Sequence, residues 1–153
     1  MKHVCLGVVI AAGLTLPAFG QGVDPLIGTW KMNLEKSTAV GPPLNRSETL
    51  NWTGEGQNFI DTIDAVDAQG RAFKQVNIHI YDGMSHPTTG NPNYDATAYT
   101  RTGNIINLTR FKNGKPVAVG QEIIAPGKTL TLITGGIDQN NQPYYRVVVY
   151  DRQ

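Results

Sequence analysis

The sequence has one cysteine among 153 residues, no long hydrophobic run after residue 16, and no excess of charge of either sign. The near absence of cysteine excludes a disulfide framework, so the fold must depend on apolar burial and backbone hydrogen bonds. An apolar content of 40%, with seventeen glycines and nine prolines, argues against a disordered chain and is typical of a β protein rich in turns.

The first twenty residues have the features of a secretory signal peptide. A basic start precedes an apolar run over residues 4–16, and residues 18–20 (Ala-Phe-Gly) are small enough around the expected cleavage site. We expect cleavage after Gly20, which predicts a secreted or periplasmic protein; a retained anchor is the alternative. The apolar run is shorter than the roughly 20 residues of a transmembrane helix, so no membrane span is expected in the mature chain.

The charged and polar residues exclude several kinds of function. Apart from Lys2, twelve basic residues face twelve acidic ones, and they are scattered rather than clustered, so no nucleic-acid partner is expected. His79, Asp82 and His86 lack the spacing of a metal site, and no glycine loop opens a helix as a phosphate site requires, so neither metal nor cofactor is expected. No nucleophile stands with a base at a catalytic spacing, which predicts that the protein is not an enzyme.

Short alternating segments separated by turn residues predict an all-β fold. The predicted strands lie near residues 26–34, 46–53, 57–66, 71–81, 94–101, 104–112, 115–125, 128–137 and 143–151. Turn dipeptides such as Asn113-Gly114 join consecutive strands as antiparallel neighbours. We predict an antiparallel up-and-down meander of about 8–10 strands closed into a barrel, with a two-sheet sandwich as the alternative. Because such a barrel needs an even number of strands, either one strand is missed or segment 35–46 crosses one end.

Motifs at both ends of the mature chain carry a family resemblance. The opening Gly-Thr-Trp-Lys (28–31) contains the Gly-x-Trp pattern of lipocalins and resembles the first strand of fatty-acid-binding proteins, both members of the calycins. With Tyr-Asp-Gly (81–83), Pro-x-Thr-Gly-x-Pro (87–92) and the ending Val-Tyr-Asp-Arg (149–152), the chain resembles a group of bacterial secreted proteins described as lipocalin-like. This resemblance implies one lipocalin-like barrel over residues 21–153.

The resemblance also implies specific roles for residues at the closed end of the barrel. Arg152 is expected to pack over Trp30, next to Gly28, as a cation–π contact. The chain departs from fatty-acid-binding proteins in two places: residues 33–46 are too few for their two-helix lid, and their carboxylate-binding arginine falls on Val148. The motifs therefore imply the barrel architecture more strongly than they imply any particular ligand.

Alternation along the last strand identifies a candidate anchor for a ligand. If Tyr150 points inward, then Val148, Arg146 and Tyr144 do so too, since residues at even spacing share a face. A charge in the interior is costly without an anion or carboxylate partner, which makes Arg146 the candidate anchor for an anionic ligand. In the alternative, Arg146 faces water and the core is filled by Tyr145, Val147 and Val149.

Two further strands contribute to the expected site. Residues 71–81 divide into a face predicted to be core (Ala72, Lys74, Val76, Ile78, Ile80) and a second face (Arg71, Phe73, Gln75, Asn77, His79, Tyr81). The second face is predicted to be a solvated outer face, with a polar pocket wall as the alternative. Tyr99 and Arg101 share a polar, aromatic face that could line a mouth, so they join Tyr144, Arg146 and Tyr150 as candidate ligand-binding residues. The connection 82–93 is longer than a hairpin requires and is expected at an end or edge of the barrel.

These observations favour a barrel that reversibly binds a small, mostly apolar molecule in its interior. The alternative is a barrel filled by its own side chains, which would act as an interaction or structural module of the cell envelope. The two differ in whether an apolar cavity exists.

Overall fold

The computed structural model describes residues 23–138 and 140–153; the predicted signal peptide, residues 1–20, lies outside them. The strands are β1 (Gly28–Val40), β2 (Ser47–Glu55), β3 (Asn58–Val66), β4 (Ala72–Ile80), β5 (Ser85–Thr89), β6 (Ala96–Thr102), β7 (Ile105–Lys112), β8 (Lys115–Ala125), β9 (Thr129–Ile137) and β10 (Pro143–Arg152). All neighbours are antiparallel and consecutive, and β1 closes on β10, which confirms the predicted barrel. Among the described residues, no helix has the length and hydrophobicity to cross a membrane.

The strand missing from the sequence-based count is β5, within the connection 82–93. It is short and contains Pro87, which cannot donate a backbone hydrogen bond to a ladder, so the sequence favoured a loop there. Segment 35–46 does not cross the barrel as a whole, because β1 continues to Val40 after an irregularity between Asn33 and Thr38. Ten strands satisfy the even number that antiparallel closure needs.

The closed end of the barrel is built around Trp30, which is fully buried. Arg152 lies over its ring, with the Cζ atom 5.1 Å from the ring centroid. The Arg152 Nη1 atom also donates to the Pro25 carbonyl at 2.8 Å, and the Trp30 Nε1 atom donates to the Leu26 carbonyl at 2.8 Å. A Cβ atom on Gly28 would lie 3.1 Å from the Arg152 guanidinium, so this glycine leaves room for the arginine.

Replacing Arg152 with methionine is expected to lower the free energy of unfolding by about 1–2 kcal/mol, since the variant loses the cation–π contact and the bonds to the preceding segment. Urea denaturation of both proteins measures this difference. The matched control is Arg71→Met, because Arg71 is exposed and its side-chain partners, Asp67 and Gln69, lie in the same turn; its effect should stay below about 0.5 kcal/mol. Equal effects of the two substitutions would contradict the closing role of Arg152.

Strand β4 presents its polar face to the barrel interior, so the favoured prediction of a solvated outer face is wrong and the alternative, an inward polar face, describes β4. Gln75, Asn77 and His79 are buried, and the side chain of Asp61 on β3 is buried beside them. Asn77 donates to Asp61, and Gln75 donates to Asn77. These hydrogen bonds offset the cost of burying polar groups. The outer face instead carries the partly exposed Val76, Ile78 and Ile80.

Candidate ligand-binding cavity

A cavity of about 660 Å³ opens at the end of the barrel where β1 finishes, opposite the end closed by Trp30. The connections β1–β2, β3–β4, β5–β6 and β9–β10 contribute to its rim. Its inner wall includes Glu48, Ile63, Phe73, Gln75, Tyr94, Arg110, Leu132, Thr134, Tyr144, Arg146, Val148 and Tyr150. This volume lies within the range of about 300–1,000 Å³ that small-molecule sites occupy.

The last strand, β10, places its even-numbered residues in this cavity. Tyr144, Arg146, Val148 and Tyr150 all line it. Tyr145 is 48% exposed on the outer surface, so the alternative register, with Tyr145 in the core, is wrong. Three of the five candidate ligand-binding residues are thus brought together in one wall.

Two arginines in the wall have aromatic neighbours. The Arg146 Cζ atom lies 5.1 Å from the centroid of the Tyr144 ring, and the Arg110 Cζ atom lies 4.5 Å from that of the Tyr94 ring. Within residues 23–138 and 140–153, neither arginine pairs with a carboxylate, and the Nε atom of each is buried without a hydrogen-bond partner. Because a cation in such surroundings is costly without a counter-charge, the two are available to an anion.

Small side chains separate the two arginines along the wall. Arg110 on β7 stands in one lateral row with Ala118 on β8, Gly136 on β9 and Tyr144 on β10. Arg146 comes two residues after Tyr144 and lies on the same face of β10. Since neighbouring strands are roughly 5 Å apart and the intervening residues are small, both arginines border the same space.

The carboxylate in the wall, Glu48, already has partners. Tyr150 donates its hydroxyl hydrogen to Glu48 Oε2, and Asn45 Nδ2 donates to Glu48 Oε1 at 2.6 Å. Burial raises the pKa of Tyr150 well above its usual range, which keeps the hydroxyl group protonated and able to donate. Neutral donors therefore hold this carboxylate, and among the described residues it forms no ion pair with either arginine.

A chain of hydrogen bonds runs from the cavity wall into the barrel. Gln75 Nε2 donates to the Tyr94 hydroxyl at 2.8 Å and to Asn77 Oδ1 at 2.9 Å. Asn77 Nδ2 donates to Asp61 Oδ2 at 3.2 Å, and Asp61 Oδ1 lies 2.8 Å from His79 Nε2. Hydrogen-bonded polar side chains thus extend well below the rim of the cavity.

Glu122 on β8 is a second buried acid near the floor of the cavity. Its strand partner on β9 is Leu132, which lines the cavity. The Glu122 side chain is buried, and this burial raises its pKa to about 7. The protonation state of this carboxyl group therefore changes near neutral pH.

Wild-type protein is expected to lose stability relative to Glu122→Gln as the pH rises from about 4.5 to about 7. The folded-state pKa lies above the unfolded value of 4.5, so the folded protein keeps this proton longer, and the contribution is complete below pH 4.5 and lost above pH 7. A difference of about 2–3 kcal/mol should accumulate over this interval. Urea denaturation of both proteins at a series of pH values measures it, and parallel stability profiles would contradict it.

The other two candidate ligand-binding residues lie outside the cavity wall. Tyr99 is buried, and its ring stacks on His79 with the centroids 3.8 Å apart. Arg101 lies toward the closed end, where its Nη1 atom is 2.7 Å from Asp24 Oδ2. Tyr99 and Arg101 do not line the same opening as Arg146. Arg101 lies at the opposite end of the barrel, which the segment before β1 closes.

The sequence-based prediction missed Arg110, Gln75, Tyr94 and Glu122. For Arg110 the signal was available: it follows Ile106 and Leu108 at even spacing, and both of these are buried. For Gln75 the alternation was also present, but it favoured the outer surface for the face of β4 that carries this residue, which is buried in the structure. Within the part of the chain that the structure describes, no three His, Cys, Asp or Glu side chains come together in a way that could hold a metal ion.

Comparison with known proteins supports the fold. No protein-family model and no curated protein matches the sequence. The crystal structure of Rv2717c from M. tuberculosis is similar with a TM-score of 0.54 at 15% identity, covering 85% of this chain and 94% of that chain. Zebrafish ileal bile acid-binding protein complexed with cholic acid is similar with a TM-score of 0.54 at 11% identity, covering 84% of this chain and 99% of that one. At these identities the likeness shows a lipocalin-like barrel fold.

Proposed function

We propose that this barrel reversibly binds a small, mostly apolar molecule that carries an anionic group. The observation that carries the proposal is the pair Arg110 and Arg146, which have no carboxylate partner among the described residues and line a cavity of about 660 Å³. Burial of apolar ligand surface, at roughly 25 cal/mol per Å², supplies the driving force. The guanidinium groups hold and orient the anionic end.

Two further observations support this proposal. The wall between the polar groups is partly apolar, with Ile63, Leu132 and Val148 exposed to the cavity. A barrel of the same fold is described as a bile acid-binding protein complexed with cholic acid. We propose binding rather than catalysis, and a secreted or periplasmic location because of the signal-peptide features of residues 1–20.

Native mass spectrometry of the mature protein purified from its own host tests the proposal. The expected spectrum contains a complex heavier than the polypeptide by the mass of one small molecule, which solvent extraction releases and negative-ion analysis detects. A polypeptide mass alone, together with no uptake of an anionic apolar dye such as anilinonaphthalene sulfonate, would contradict binding. That outcome would favour the filled barrel acting as an envelope interaction module.

A further inference from the structure

Exposed apolar side chains gather on the outer surface of strands β7–β10. Five of them, each between 37% and 61% exposed, are Ile105, Val119, Ile123, Ile137 and Tyr145. Val40, at the end of β1, is also exposed and is the strand partner of Tyr145. Neighbouring exposed apolar residues of this kind indicate an interaction surface. We refer to the outward-facing residues of β7–β10, together with Val40, as the apolar outer face.

Strand pairing makes the apolar outer face continuous. Its first lateral row crosses four strands and consists of Val40, Tyr145, Gly135 and Val119. A Cβ atom on Gly135 would lie 3.7 Å from the Tyr145 Cδ2 atom, so the tyrosine ring lies beside this glycine. The next two rows along the strands are Val147, Ile133, Gln121 and Asn107, and then Val149, Thr131, Ile123 and Ile105. The three rows form one patch, apolar except for threonine and amide side chains.

The apolar outer face carries no charge between its two ends. Within the described strands β7–β10, the mid-strand charges are Arg110, Glu122 and Arg146, and all three lie on the inward side. The other four charged residues of these strands are terminal ones. The outer surface of β3 and β4 differs, because the exposed Asp64 and Lys74 form an ion pair there. Depletion of charged residues is typical of the core of a protein–protein interface.

A second copy of this chain fits the apolar outer face by charge and by area. Two copies that meet through an uncharged face bring no like charges together, which would otherwise oppose self-association. The four strands have 8–11 residues each. With strands roughly 4.8 Å apart and a rise of roughly 3.3 Å per residue, they cover roughly 600 Å². Two copies then bury roughly 1,200 Å² in total, which is the lower limit for a stable, specific interface.

Amide groups within the face favour a second copy over a lipid surface. Gln121 Nε2 donates to Asn107 Oδ1 at 2.9 Å, and both residues are exposed. Asn107 Nδ2 can still donate and Gln121 Oε1 can accept, so one patch offers both halves of a hydrogen bond. A two-fold axis brings the donor of one copy to the acceptor of the other. The hydrocarbon of a membrane offers neither group a partner.

We infer that this protein forms a two-fold symmetric dimer through the apolar outer face. The same residues of both copies make the contact, as in any isologous interface. The small area predicts weak association, with a Kd on the order of 10–100 µM. Tyr144, Arg146 and Val148 point into the cavity, whereas Tyr145 and Val147 between them point outward. The interface and the cavity therefore occupy opposite sides of the same strands, and the inference does not depend on the proposed ligand.

Sedimentation equilibrium from low micromolar to millimolar concentration tests this inference on the protein without its predicted signal peptide. The mean mass of the wild-type protein should rise from the monomer value to the dimer value. Val119→Arg places a cation on both sides of the interface and should weaken dimerisation by about a hundredfold. The matched control is Ile60→Arg, because Ile60 is 45% exposed on the outer surface of β3, outside the face. This control should dimerise as the wild-type protein does.

Nuclear magnetic resonance of the wild-type protein locates the contact without any substitution. Amide chemical shifts that change with protein concentration should belong to β7–β10 and not to β3. A monomer mass at every concentration overturns the inference; if that monomer binds vesicles of phosphatidylglycerol and phosphatidylethanolamine, the face is a lipid-binding surface instead. A dimer that Val119→Arg leaves intact, or concentration-dependent shifts confined to another face of the barrel, also overturns it.

Discussion

Replacement of both Arg110 and Arg146 with methionine is expected to weaken the binding of an anionic apolar molecule by about a hundredfold. Hydrogen bonds to charged groups contribute about 1.5–3 kcal/mol, and each 1.4 kcal/mol is a factor of ten in affinity. Each single replacement should cost about tenfold, and the two effects need not be additive, because in the proposed complex both arginines contact one anion. Methionine keeps much of the side-chain volume and adapts to irregular space, so the cavity should persist.

Titration with an anionic dye and with a neutral apolar analogue of similar size distinguishes a lost charge from a lost cavity. The double variant should bind the neutral analogue with nearly unchanged affinity, while its affinity for the anionic dye falls. Arg46→Met is the matched control, because Arg46 is exposed and bonded to the Ala68 carbonyl. The double variant should also unfold at a higher urea concentration, since it no longer buries two cations without partners. Unchanged affinity for the anionic dye would refute the role of the arginines.

Gly90→Ala is expected to lower the free energy of unfolding by about 4 kcal/mol, because it combines backbone strain with a steric collision. Gly90 follows β5 and has a φ angle of +79°, a region that residues with a Cβ atom rarely adopt. The added Cβ atom would lie 1.9 Å from the Lys74 carbonyl oxygen and 2.9 Å from its carbon, both in the backbone of β4. The segment after β5 must therefore move away from β4.

Urea denaturation of Gly127→Ala provides the control for this prediction. Gly127 has a φ angle of +68°, and a Cβ atom there would meet nothing within 4 Å. Its replacement should cost only about 1 kcal/mol, the usual strain of a left-handed conformation. Similar losses in the two variants would show that the contact with β4 is not what requires glycine at residue 90.

The Gly90 substitution should also affect the cavity. The next residue, Asn91, lines the cavity and donates from Nδ2 to Gln75 Oε1 at 2.6 Å. Because movement of residue 90 away from β4 stretches this bond, the variant should bind ligand more weakly than its loss of stability alone explains. Binding measured at a temperature where the variant is fully folded separates the two effects.

The architecture of this protein follows from signals that act between residues close together in the chain. Turn dipeptides such as Asn113-Gly114, where both residues have positive φ, set the hairpins. Alternation along the chain located nine of the ten strands, and β5 escaped because it is short and contains proline. The resemblance of the two chain ends correctly anticipated Arg152 over Trp30.

Which face of each strand points inward, and where the cavity lies, depends on contacts that exist only in the folded barrel. Alternation divides a strand into two faces but does not say which one is buried when the interior is polar. On β4, Asn77 and His79 point inward because Asp61, sixteen and eighteen residues away, bonds to both of them. Arg110 and Arg146 border one cavity because the barrel places β7 and β10 around the small residues of β8 and β9. Such cross-strand partners are set by closure of the barrel, and no local pattern in the sequence specifies them.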